Sequence, residues 1–503
     1  MNFNRLIKKF PELSLIKGEM FYEIDYIESD SRKTKTNDIY CLYDIHINSA
    51  IEYLNKSLDN KCTYLFLSEK SYEFLKDILD TKQNITTIMI SKTDPAELHG
   101  YLASYLLGDP SKKMDIIAVT GTNGKTTTTS VLFEIFTKLG LKSGLIGTLH
   151  IKYNNIIYET GYTTPDPSTL QFHLSKMAST GVKYVFLEAS SHGLKLGRLN
   201  GCQFKGAIFT NLTPDHLDFH KDMDDYLKSK FIIFKLLQNS KIKNKVAVIS
   251  IDSPGSDKMY DLIINSNPNY ICNTFGKNGD FKSENPELKI NRTIFNVQHG
   301  DKNTKIETKL LGNFNFINTG LSFTISTLLL PTKKDEIAKA ISEVKPIQGR
   351  FEIVYSLNNE KMGIVDYAHT PDALENILHS IKQIPHSEII TVFGCGGDRD
   401  KKKRPIMGLI ACKLSDRVIL TSDNPRSEDP LSIIKDIEMG VLNNYNNYII
   451  EIDRKKAIQM GAKLLPKNGF LLIAGKGHEN YQILGNTKTP FSDSIELKEA
   501  FHV

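Results

Sequence analysis

The sequence predicts an α/β protein of three domains, each built around its own sheet. Three observations carry this prediction. Short apolar runs rich in β-branched residues alternate with helix-length segments, turn clusters interrupt the alternation twice, and polar residues gather where the apolar runs end. We expect a smaller N-terminal α/β domain at 1–110, a central domain with a mostly parallel sheet at 111–335, and a C-terminal Rossmann-like domain at 336–503.

The three domains differ in the strands that they are predicted to contain. The first has strands at 39–43, 64–68 and 86–90 and ends at the turn cluster Gly108-Asp-Pro-Ser. The second has strands at 114–119, 183–188, 206–210 and 245–251, then an alternating pattern at 276–308 that predicts antiparallel strands. The third has strands at 363–367, 389–393, 417–421 and 470–474. Ligands of such sheets bind beyond the carboxyl ends of the strands.

The composition is that of an ordinary soluble protein. Of the 503 residues, 40% are hydrophobic and 24% are charged, which is ample material for several cores. The net charge of +5 is small and the basic residues are dispersed, which argues against a nucleic-acid binder. No apolar run approaches the ~18 residues of a membrane span. Six scattered cysteines indicate reduced thiols, so we expect a cytoplasmic, monomeric protein without membrane insertion.

Residues 118–128, Ala-Val-Thr-Gly-Thr-Asn-Gly-Lys-Thr-Thr-Thr, are the most informative stretch. They lie between a predicted buried strand and a helical pattern at 130–139, so backbone N–H groups and a helix N-terminus would face a phosphate group. The usual pattern has a further glycine where this chain has Val119, so the loop is the shorter Gly-x-x-Gly-Lys-Thr form. The stretch predicts a central domain like those of P-loop ATPases, with ATP contacts from Gly121, Thr122, Asn123, Gly124, Lys125, Thr126 and Thr127.

Two further polar clusters follow predicted strands of the central domain. Glu188 ends one strand and is well placed to share a Mg²⁺ ion with Thr126, although a strand-end capping cluster would also explain it. The second cluster, 211–220, contains Asn211 and His216. Its density of polar residues favours contact with a metal or a phosphate over a purely structural role.

Four residues outside these clusters have two interpretations each. Lys230 lies in a helical pattern, and a lysine there is normally solvated, so the residues alone predict an exposed side chain. Asp366 and His369 follow a strand of the third domain and could contact ribose or phosphate. Arg350, at the domain junction, suits a γ-phosphate clamp. A helix-capping aspartate and a surface arginine are equally good explanations.

Three loops of the third domain should meet at one edge of its sheet, because each follows a predicted strand. They are Gly394-Cys-Gly-Gly-Asp-Arg-Asp, Ser422-Asp-Asn-Pro-Arg and Gly475-Lys-Gly-His-Glu. Arg399 and Arg426 can grip a carboxylate, whereas Asn424 and Glu479 can take an ammonium group. The loops therefore predict a site for a zwitterion.

Seven motifs, in order along the whole chain, resemble those of the ATP-dependent Mur ligases of bacterial cell-wall synthesis. They are Asp30-Ser-Arg, the phosphate loop, Thr163-Thr-Pro, Glu188-Ala-Ser-Ser-His, the string from Asn211 to His216, Asp366-Tyr-Ala-His-Thr-Pro and Gly475-Lys-Gly-His-Glu. Single motifs of this kind are weak, but seven in order are specific. The resemblance implies an ATP-dependent ligase that forms a peptide bond through an acyl phosphate in peptidoglycan synthesis.

The resemblance also implies roles for individual residues. It implies two Mg²⁺ ions, the first contacted by Thr126 and the second by Glu188 and His216. It further implies a carbamylated Lys230 as an anionic metal ligand, which reverses the expectation of a solvated lysine. Lys125, Glu188, His216 and Lys230 are then the catalytic set. ATP contacts beyond the phosphate loop are implied for Asn211, Asn315, Asn318, Arg350, Asp366 and His369.

Substrate contacts follow from the same resemblance. Ser31 resembles part of a uridine-nucleotide site, and the muramoyl-dipeptide of UDP-N-acetylmuramoyl-L-alanyl-D-glutamate would contact Thr163, Thr164, Ser190 and Arg198. The Asp-Asn-Pro-Arg loop is similar to that of relatives that add meso-diaminopimelate. This amino acid would be held by Arg399, Asp423, Asn424, Arg426, Gly475 and Glu479, with two buried guanidinium groups on its distal carboxylate. The chain departs from the family at Leu196, where relatives often have a glutamine that touches the substrate.

Two other functions are compatible with parts of this pattern. A folylpolyglutamate-synthase-like ligase would share the phosphate loop and the architecture but would need neither the first domain nor the Asp-Asn-Pro-Arg loop. A P-loop switch or motor would use ATP to change shape and would need no amino-acid pocket. Phosphate release that depends on both a UDP-muramoyl-dipeptide and an amino acid distinguishes the three.

Overall fold

The structure is a computed structural model that describes residues 1–44, 46–442, 444–485 and 487–502. Its strands form three large α/β sheets in chain order and a short hairpin near the C-terminus. This confirms the fold class predicted from the sequence. No helix among the described residues is long and apolar enough to cross a membrane.

The first sheet has five strands in the order β1-β5-β4-β3-β2, parallel except for β1. The strands are β1 (Leu13–Lys17), β2 (Tyr26–Glu28), β3 (Asp38–Cys41), β4 (Tyr64–Ser68) and β5 (Thr87–Ser91). The helices are α1 (Phe3–Lys9), α2 (Ile47–Asp59), α3 (Glu69–Thr81) and α4 (Pro95–Leu106). Apolar residues are buried on both faces of this sheet, as expected where helices cover a parallel sheet.

The central sheet has twelve strands, and its middle part is parallel in the order β14-β13-β12-β11-β6-β10-β7. The strands are β6 (Asp115–Thr120), β7 (Ser143–Ile146), β8 (Ile151–Tyr153), β9 (Ile156–Tyr158), β10 (Tyr184–Glu188), β11 (Gly206–Phe209), β12 (Val246–Ser250), β13 (Ile271–Gly276), β14 (Phe281–Lys282), β15 (Glu287–Leu288), β16 (Thr293–His299) and β17 (Lys302–Thr308). The helices are α5 (Lys125–Lys138), α6 (Pro167–Ser179), α7 (Ser191–Lys195), α8 (Met223–Asn239), α9 (Ser256–Asn265), α10 (Asn313–Leu329) and α11 (Lys334–Ser342). The antiparallel pairs of β16 with β15 and β17 confirm the strands predicted at 276–308.

The third sheet has six strands in the order β18-β19-β23-β20-β21-β22, and only β18 is antiparallel. The strands are β18 (Glu352–Tyr355), β19 (Met362–Asp366), β20 (Ile389–Phe393), β21 (Arg417–Leu420), β22 (Tyr448–Ile450) and β23 (Phe470–Ala474), with β24 (Tyr481–Leu484) and β25 (Thr487–Pro490) forming the separate hairpin. The helices are α12 (Pro371–Lys382), α13 (Lys403–Leu414), α14 (Pro430–Glu438), α15 (Arg454–Leu464) and α16 (Asp493–His502).

Strand β6 explains both the position and the length of the phosphate loop. It lies between β10 and β11 in parallel register, with Val119 opposite Glu188, so the clusters that follow all three strands leave the sheet at one edge. Ile116 and Ala118 pack on one face of the sheet, and Val119 packs on the other. Because β6 continues through Thr120, the chain is still a buried strand at Val119 and needs no glycine there.

Helix α5 begins at Lys125, five residues before the helical pattern seen in the sequence. Its first turns are threonines, which hide the apolar periodicity although their side chains are buried. The hydroxyl of Thr129, for example, donates to the carbonyl of Lys125 at 3.0 Å. The helix ends as predicted, with Gly140 in a left-handed conformation.

A buried chain of hydrogen bonds connects the first sheet to the central one. His99 on α4 contacts the Tyr43 hydroxyl through Nδ1 and the Ser168 hydroxyl of α6 through Nε2, each at 2.7 Å. Ser168 donates in turn to the carbonyl of Ile27 at 2.8 Å. Such a fully hydrogen-bonded polar contact fixes the relative position of the two units.

Candidate active site

Two glycines shape the phosphate loop between β6 and α5. Gly121 has φ +149° and Gly124 has φ +89°, conformations that L-residues rarely adopt. A Cβ on Gly121 would overlap the Thr210 hydroxyl, and one on Gly124 would overlap a side-chain amide of α10. From the neighbouring segment, Asn211 Oδ1 accepts from the N–H of Asn123 at 2.9 Å. The loop backbone is therefore held in one shape at a helix N-terminus, where an anion is favoured.

Lys125 and Lys230 meet at one backbone carbonyl. Their ammonium groups donate to Gly121 O at 2.9 Å and 2.8 Å. Lys230 is only 1% exposed, so the solvated side chain expected from the residues alone is wrong. Helix α8 turns this position inward against the phosphate loop. Burial, together with the nearby charge of Lys125, holds the pKa of Lys230 well below its usual value, and burial also lowers the pKa of Lys125.

Glu188 lies buried at the carboxyl end of β10 and accepts hydrogen bonds through both oxygens. Oε2 accepts from the hydroxyls of Thr126 and Thr148, each at 2.9 Å, and Oε1 accepts from the N–H of Thr148 at 2.8 Å. The predicted pair of Glu188 and Thr126 is thus brought together. Thr148 is a residue that sequence reasoning missed, because nothing in the sequence indicates that the turn after β7 reaches Glu188. This set of hydroxyl and carboxylate oxygens has the chemistry that Mg²⁺ prefers.

His216 follows β11 in a left-handed conformation, with φ +55°. Its Nε2 lies 3.3 Å from Asp215 Oδ2, and its ring centroid lies 4.9 Å from that of His192. Burial lowers the pKa of His216 to about 4, so the imidazole is neutral at pH 7 and can act as a ligand. In the described part of the chain, no three His, Cys, Asp or Glu side chains are grouped so that they could hold a metal by themselves.

A cavity of about 250 Å³ opens between the phosphate loop and α12. Apolar side chains suited to a flat aromatic base and polar side chains of both sheets line it, among them Asn123, Asn211, Phe314, Ile317, Asn318, Asp372 and Ile377. Asn318 faces this cavity, whereas Asn315 is buried behind it and accepts from Asn318 Nδ2 at 3.3 Å. Of the two predicted adenine-side asparagines, one therefore lines the cavity and the other supports it.

Arg350 reaches across the junction of the second and third sheets to the phosphate loop. Its Nη2 donates to the Thr126 hydroxyl at 3.3 Å, and its guanidinium carbon lies 4.7 Å from the centroid of the Tyr367 ring. The buried Nε of Arg350 has no hydrogen-bond partner among the described residues. A cation with an unused donor beside the phosphate loop is suited to bind phosphate oxygens.

Asp366 and His369 line the cavity but use polar atoms to hold the local backbone. The Asp366 oxygens accept from the N–H groups of Phe351 and Ala368, each at 2.7 Å, and His369 Nδ1 lies 2.8 Å from Tyr367 O. Burial raises the pKa of Asp366 and lowers that of His369. Asp366 thereby fixes the segment that presents Arg350.

The residues predicted to contact a muramoyl-dipeptide lie together beside Glu188. Thr164 Oγ1 donates to Glu188 O at 2.7 Å and accepts from the N–H of Ser190 at 2.9 Å. Arg198 donates to Thr164 O at 2.8 Å, and the Thr163 and Thr148 hydroxyl oxygens lie 3.0 Å apart. The predicted cluster is therefore continuous with the turn at the candidate metal site.

Ser31 and Leu196 are the two remaining positions on the substrate side. Ser31 lies buried in the segment after β2 of the first sheet, and its carbonyl accepts from Thr34 and Asn60. Leu196 is 45% exposed at the end of α7, two residues before Arg198. A leucine can offer only apolar contact at this place.

The loops after β20, β21 and β23 meet at one edge of the third sheet, as predicted. Asn424 Nδ2 donates to Glu479 Oε2 at 2.7 Å, and the fully buried Lys476 donates to Asn424 Oδ1 at 3.0 Å and to Glu479 Oε2 at 3.1 Å. Asp423 lies against Gly475, where a Cβ would be 2.6 Å from its Oδ2. Sequence reasoning missed Lys476. Its ammonium group contacts Asn424 and Glu479, the two residues that were predicted to bind the ammonium group of a ligand.

The two arginines of these loops differ in exposure, contrary to the expectation that both are buried. Arg426 is half-buried and donates to Gly397 O at 2.7 Å, whereas Arg399 is exposed at the tip of its loop and donates to Asp398 O at 3.0 Å. Both lie beside Gly396, since a Cβ there would be 2.9 Å from Arg426 Nη1 and 3.8 Å from Arg399 Cγ. The two arginines thus lie beside the same glycine, the half-buried Arg426 below the surface and Arg399 at the surface.

Two buried arginines brace the loops from behind. Arg404 donates to both oxygens of Glu428 at 2.9 Å and 2.8 Å, and these hydrogen bonds lower the pKa of Glu428 to about 2. Arg454 pairs with Asp493 at 2.7 Å and 2.8 Å, with both side chains fully buried, and it also donates to Ala474 O at the end of β23. These bidentate pairs fix the loops on which the site depends.

Comparison with known proteins identifies similar chains. The family model described as "Mur ligase middle domain" matches residues 119–326, and that described as "Mur ligase, glutamate ligase domain" matches residues 349–477. The "UDP-N-acetylmuramoyl-L-alanyl-D-glutamate--2,6-diaminopimelate ligase" of Leptospira interrogans is 43% identical over 508 aligned positions, which cover 100% of this chain and 99% of the relative.

Solved structures agree in fold. A structure titled as a UDP-N-acetylmuramoyl-L-alanyl-D-glutamate–2,6-diaminopimelate ligase has a TM-score of 0.68 and 29% identity, and the match covers 100% of this chain and 98% of that one. A MurF ligase from Thermotoga maritima in complex with ADP has a TM-score of 0.61 at 15% identity, covering 90% and 94%. The latter similarity concerns the fold alone.

Proposed function

This chain belongs to the Mur ligase family, and we propose that it uses ATP to add meso-diaminopimelate to UDP-N-acetylmuramoyl-L-alanyl-D-glutamate in peptidoglycan synthesis. The observation that carries the proposal is the meeting of the phosphate loop, Glu188 and Arg350 beside one cavity. We assign residues 1–110 to the UDP-substrate, 111–335 to ATP and 336–503 to the amino acid. We propose that the enzyme acts in the cytoplasm as a monomer. Its six free cysteines are consistent with that reducing compartment.

ATP would bind with its phosphates on the phosphate loop, residues 121–127, and its base in the cavity beside Asn318. Lys125 and Arg350 are the cations that offset negative charge on the transferring phosphoryl group. This work is electrostatic and positional. Asn211, Asn315, Asp366 and His369 support the site by fixing the backbone and side chains around it.

Thr126 would contact a first Mg²⁺ ion, and Glu188 and His216 would hold a second; both ions would neutralise charge on the phosphates when bound. Lys230 is the proposed third protein ligand of the second ion. Its low pKa favours the neutral amine, whose nitrogen attacks CO₂ and loses a proton to give a carbamate. The carbamate would turn a buried cation beside Lys125 into an anionic oxygen donor.

The UDP-substrate would extend from Ser31 of the first domain to the cluster of Thr163, Thr164, Ser190 and Arg198. Because this cluster is continuous with the turn that holds Glu188, the path would bring the γ-carboxylate of the D-Glu residue to that turn. Leu196 offers no amide for the substrate contact that the family resemblance implies for a glutamine at this position.

Arg426 is the proposed selector of diaminopimelate, because a guanidinium group can fork onto the distal carboxylate that lysine lacks. The exposed Arg399 would close over the same carboxylate from outside. Asn424, Glu479, Asp423 and Gly475 form the opposite wall. Lys476 already donates hydrogen bonds to Asn424 Oδ1 and Glu479 Oε2. We therefore assign the ammonium group of the substrate to the carboxylate oxygens of Glu479 and Asp423 that can still accept hydrogen bonds.

The reaction has two steps. A γ-carboxylate oxygen of D-Glu attacks the γ-phosphorus of ATP, and the bond to ADP breaks, which leaves an acyl phosphate. The amine of diaminopimelate then attacks the acyl carbon, phosphate leaves, and the nitrogen loses its proton. Because the reacting groups lie on different domains, closure would exclude the water that hydrolyses the intermediate.

A ligation assay tests this function. Phosphate release and peptide product are measured with UDP-N-acetylmuramoyl-L-alanyl-D-glutamate and diaminopimelate, lysine or ornithine. We expect release to require both the UDP-substrate and diaminopimelate. Phosphate release at the full rate without an amino acid would contradict the proposed ligase activity. Equal rates with lysine and diaminopimelate would contradict only the proposed selectivity for diaminopimelate.

A further inference from the structure

Asp372 of the third sheet's unit forms hydrogen bonds directly to the phosphate loop of the central unit. Its Oδ2 accepts from Asn123 Nδ2 at 2.8 Å and from the Thr213 hydroxyl at 3.1 Å. The two donors come from different segments, one on the phosphate loop and one after β11. A single carboxylate oxygen therefore connects α12 to two parts of the ATP site.

The Asn123 peptide is already held on its other sides. Its N–H donates to Asn211 Oδ1 at 2.9 Å, and its carbonyl accepts from Asn211 Nδ2 at 3.2 Å and from the Thr210 hydroxyl. Thr213 is tied to the same loop, because its N–H donates to Thr122 Oγ1 at 3.0 Å. Among these contacts of Asn123 and Thr213, the one with Asp372 would be removed by a movement of the third unit, while the others lie within the central unit.

The position of Asp372 is itself well defined. It is the second residue of α12, after the cap at Thr370, whose hydroxyl accepts from the N–H of Ala373. A carboxylate in the first turn of a helix is favoured by the helix dipole. The same helix starts two residues after His369, so Asp372 moves together with the segment that carries Asp366 and presents Arg350.

We propose that Asp372 is a positioning residue that makes the placement of the Asn123 and Thr213 side chains at the phosphate loop depend on closure of the amino-acid-binding unit against the ATP-binding unit. When the third unit moves away, the Asn123 and Thr213 side chains lose their shared acceptor and can reorient, while the loop backbone keeps its contacts within the central unit. Phosphoryl transfer is thereby coupled to the arrangement in which the amine can reach the acyl phosphate. The inference rests on the proposed function for its kinetic part and on the contact itself for its structural part.

The kinetic test compares Asp372→Ala with Asp372→Asn. The asparagine retains an oxygen that can accept the same hydrogen bonds, whereas the alanine retains none. We expect Asp372→Ala to lower kcat at least about tenfold, since small misplacement of reacting groups is costly. We also expect more than one phosphate released per peptide bond, and Asp372→Asn to recover most of both values. Glu375→Ala, exposed on the same helix, serves as the matched control.

The structural test needs no ligation, so it stands even if diaminopimelate is not the substrate. Small-angle X-ray scattering with ADP alone measures compaction of the wild type and of each variant. We expect ADP to compact the wild type and Asp372→Asn more than Asp372→Ala. Equal compaction together with kcat within about twofold of wild type would overturn the proposal. An equal loss in both variants with a lowered melting temperature would also overturn it, because the role would then be merely structural.

Discussion

Lys230 is the residue whose charge state is most strongly affected by its surroundings. It is buried, it shares the Gly121 carbonyl with Lys125, and its pKa is shifted well below the usual value. An ammonium group on Lys230 would be repelled by that of Lys125 at the same acceptor, and burial makes the repulsion stronger. A carbamate on Lys230 would instead attract the Lys125 ammonium, so the proposed modification has a physical cause as well as a role.

Replacement of Lys230 by alanine is expected to lower kcat about a hundredfold, because the proposed metal ligand would be lost. The carbamate is checked by ¹³C NMR of enzyme prepared with ¹³C-labelled bicarbonate, which should give a carbonyl signal absent from the variant. Lys235→Ala, exposed five residues further along α8, is the control and should match the wild type. A fully active enzyme with an unmodified Lys230 amine would contradict the proposal.

Replacement of Arg426 by alanine is expected to lower kcat/KM for diaminopimelate by about two orders of magnitude, as a charge-assisted pair of hydrogen bonds is lost. The KM for ATP should stay unchanged, because the ATP cavity is lined by other residues. Steady-state kinetics with each substrate varied in turn gives both values. Arg417→Ala is the matched control, since this arginine starts β21 at the opposite end of the strand and pairs with Glu388. A proportional loss for ATP would argue against a selective role.

Strands and their loops set the geometry in which these residues act. The position of the phosphate loop is set by the end of β6 and the start of α5. The positions of the three loops predicted to bind a zwitterion are set by the ends of β20, β21 and β23. Buried pairs such as Arg454 with Asp493 stiffen the loops from below. Two predictions concern these connections rather than any contact with a ligand.

Gly121→Ala should abolish ATP binding, because the added Cβ overlaps the Thr210 hydroxyl and φ +149° is unfavourable for alanine. Isothermal titration with ADP measures the loss. Gly140→Ala separates the two causes, since Gly140 also has positive φ, +74°, but open space around it. That control should lower stability by only about 1 kcal/mol and leave ADP binding intact. ADP binding by Gly121→Ala with wild-type affinity would show that the loop tolerates another shape.

Asp493→Ala should lower the free energy of unfolding of the third domain by about 3–5 kcal/mol, because it leaves the buried Arg454 guanidinium without its partner. Chemical denaturation followed by circular dichroism measures the change. Lys455→Ala, which removes the ion pairs of an exposed lysine with the half-buried Glu496 and the exposed Glu499, should leave the midpoint nearly unchanged. Similar midpoints for both variants would mean that the buried pair contributes no more than a surface one.

The accuracy of the sequence predictions depends on where each signal resides. Strands such as β20 and β23 match the predicted bounds because buried parallel strands are continuous apolar runs. The start of α5 was missed because threonines mask its period. Thr148 and Lys476 were missed because their roles come from tertiary contacts, and Lys230 was misjudged from its residue type because only packing reveals that its face of α8 is covered.

At the scale of the whole molecule, the relative positions of the three units depend on a few polar contacts. His99 forms a contact between the first and central sheets, and Asp372 and Arg350 form contacts between the central and third units. His99 and its partner Ser168 are fully buried, whereas Asp372 and Arg350 line an open cavity. We therefore expect the N-terminal unit to stay fixed while the C-terminal unit moves.

The His99 contact should weaken in acid. Burial lowers the pKa of His99 from 6.5 to about 4, so the proton binds the unfolded or detached state more tightly than the folded one. Its contribution to stability is complete above pH 6.5 and is lost as the pH falls towards 4. Melting temperatures of the wild type and His99→Gln over this range should converge in acid, since glutamine keeps hydrogen bonds but cannot titrate. Parallel curves would show that His99 is not the group responsible.

The register of β6 with β10 and β11 has a practical consequence for comparing states of this enzyme. Backbone hydrogen bonds along these three strands fix the spacing of the phosphate loop, Glu188 and the Asn211 segment. The three strands therefore provide an internal coordinate frame. Superposition of two conformations on these strands separates rotation of the outer units from shifts of the phosphate loop, Glu188 and the Asn211 segment. This holds even when the overall shapes differ greatly.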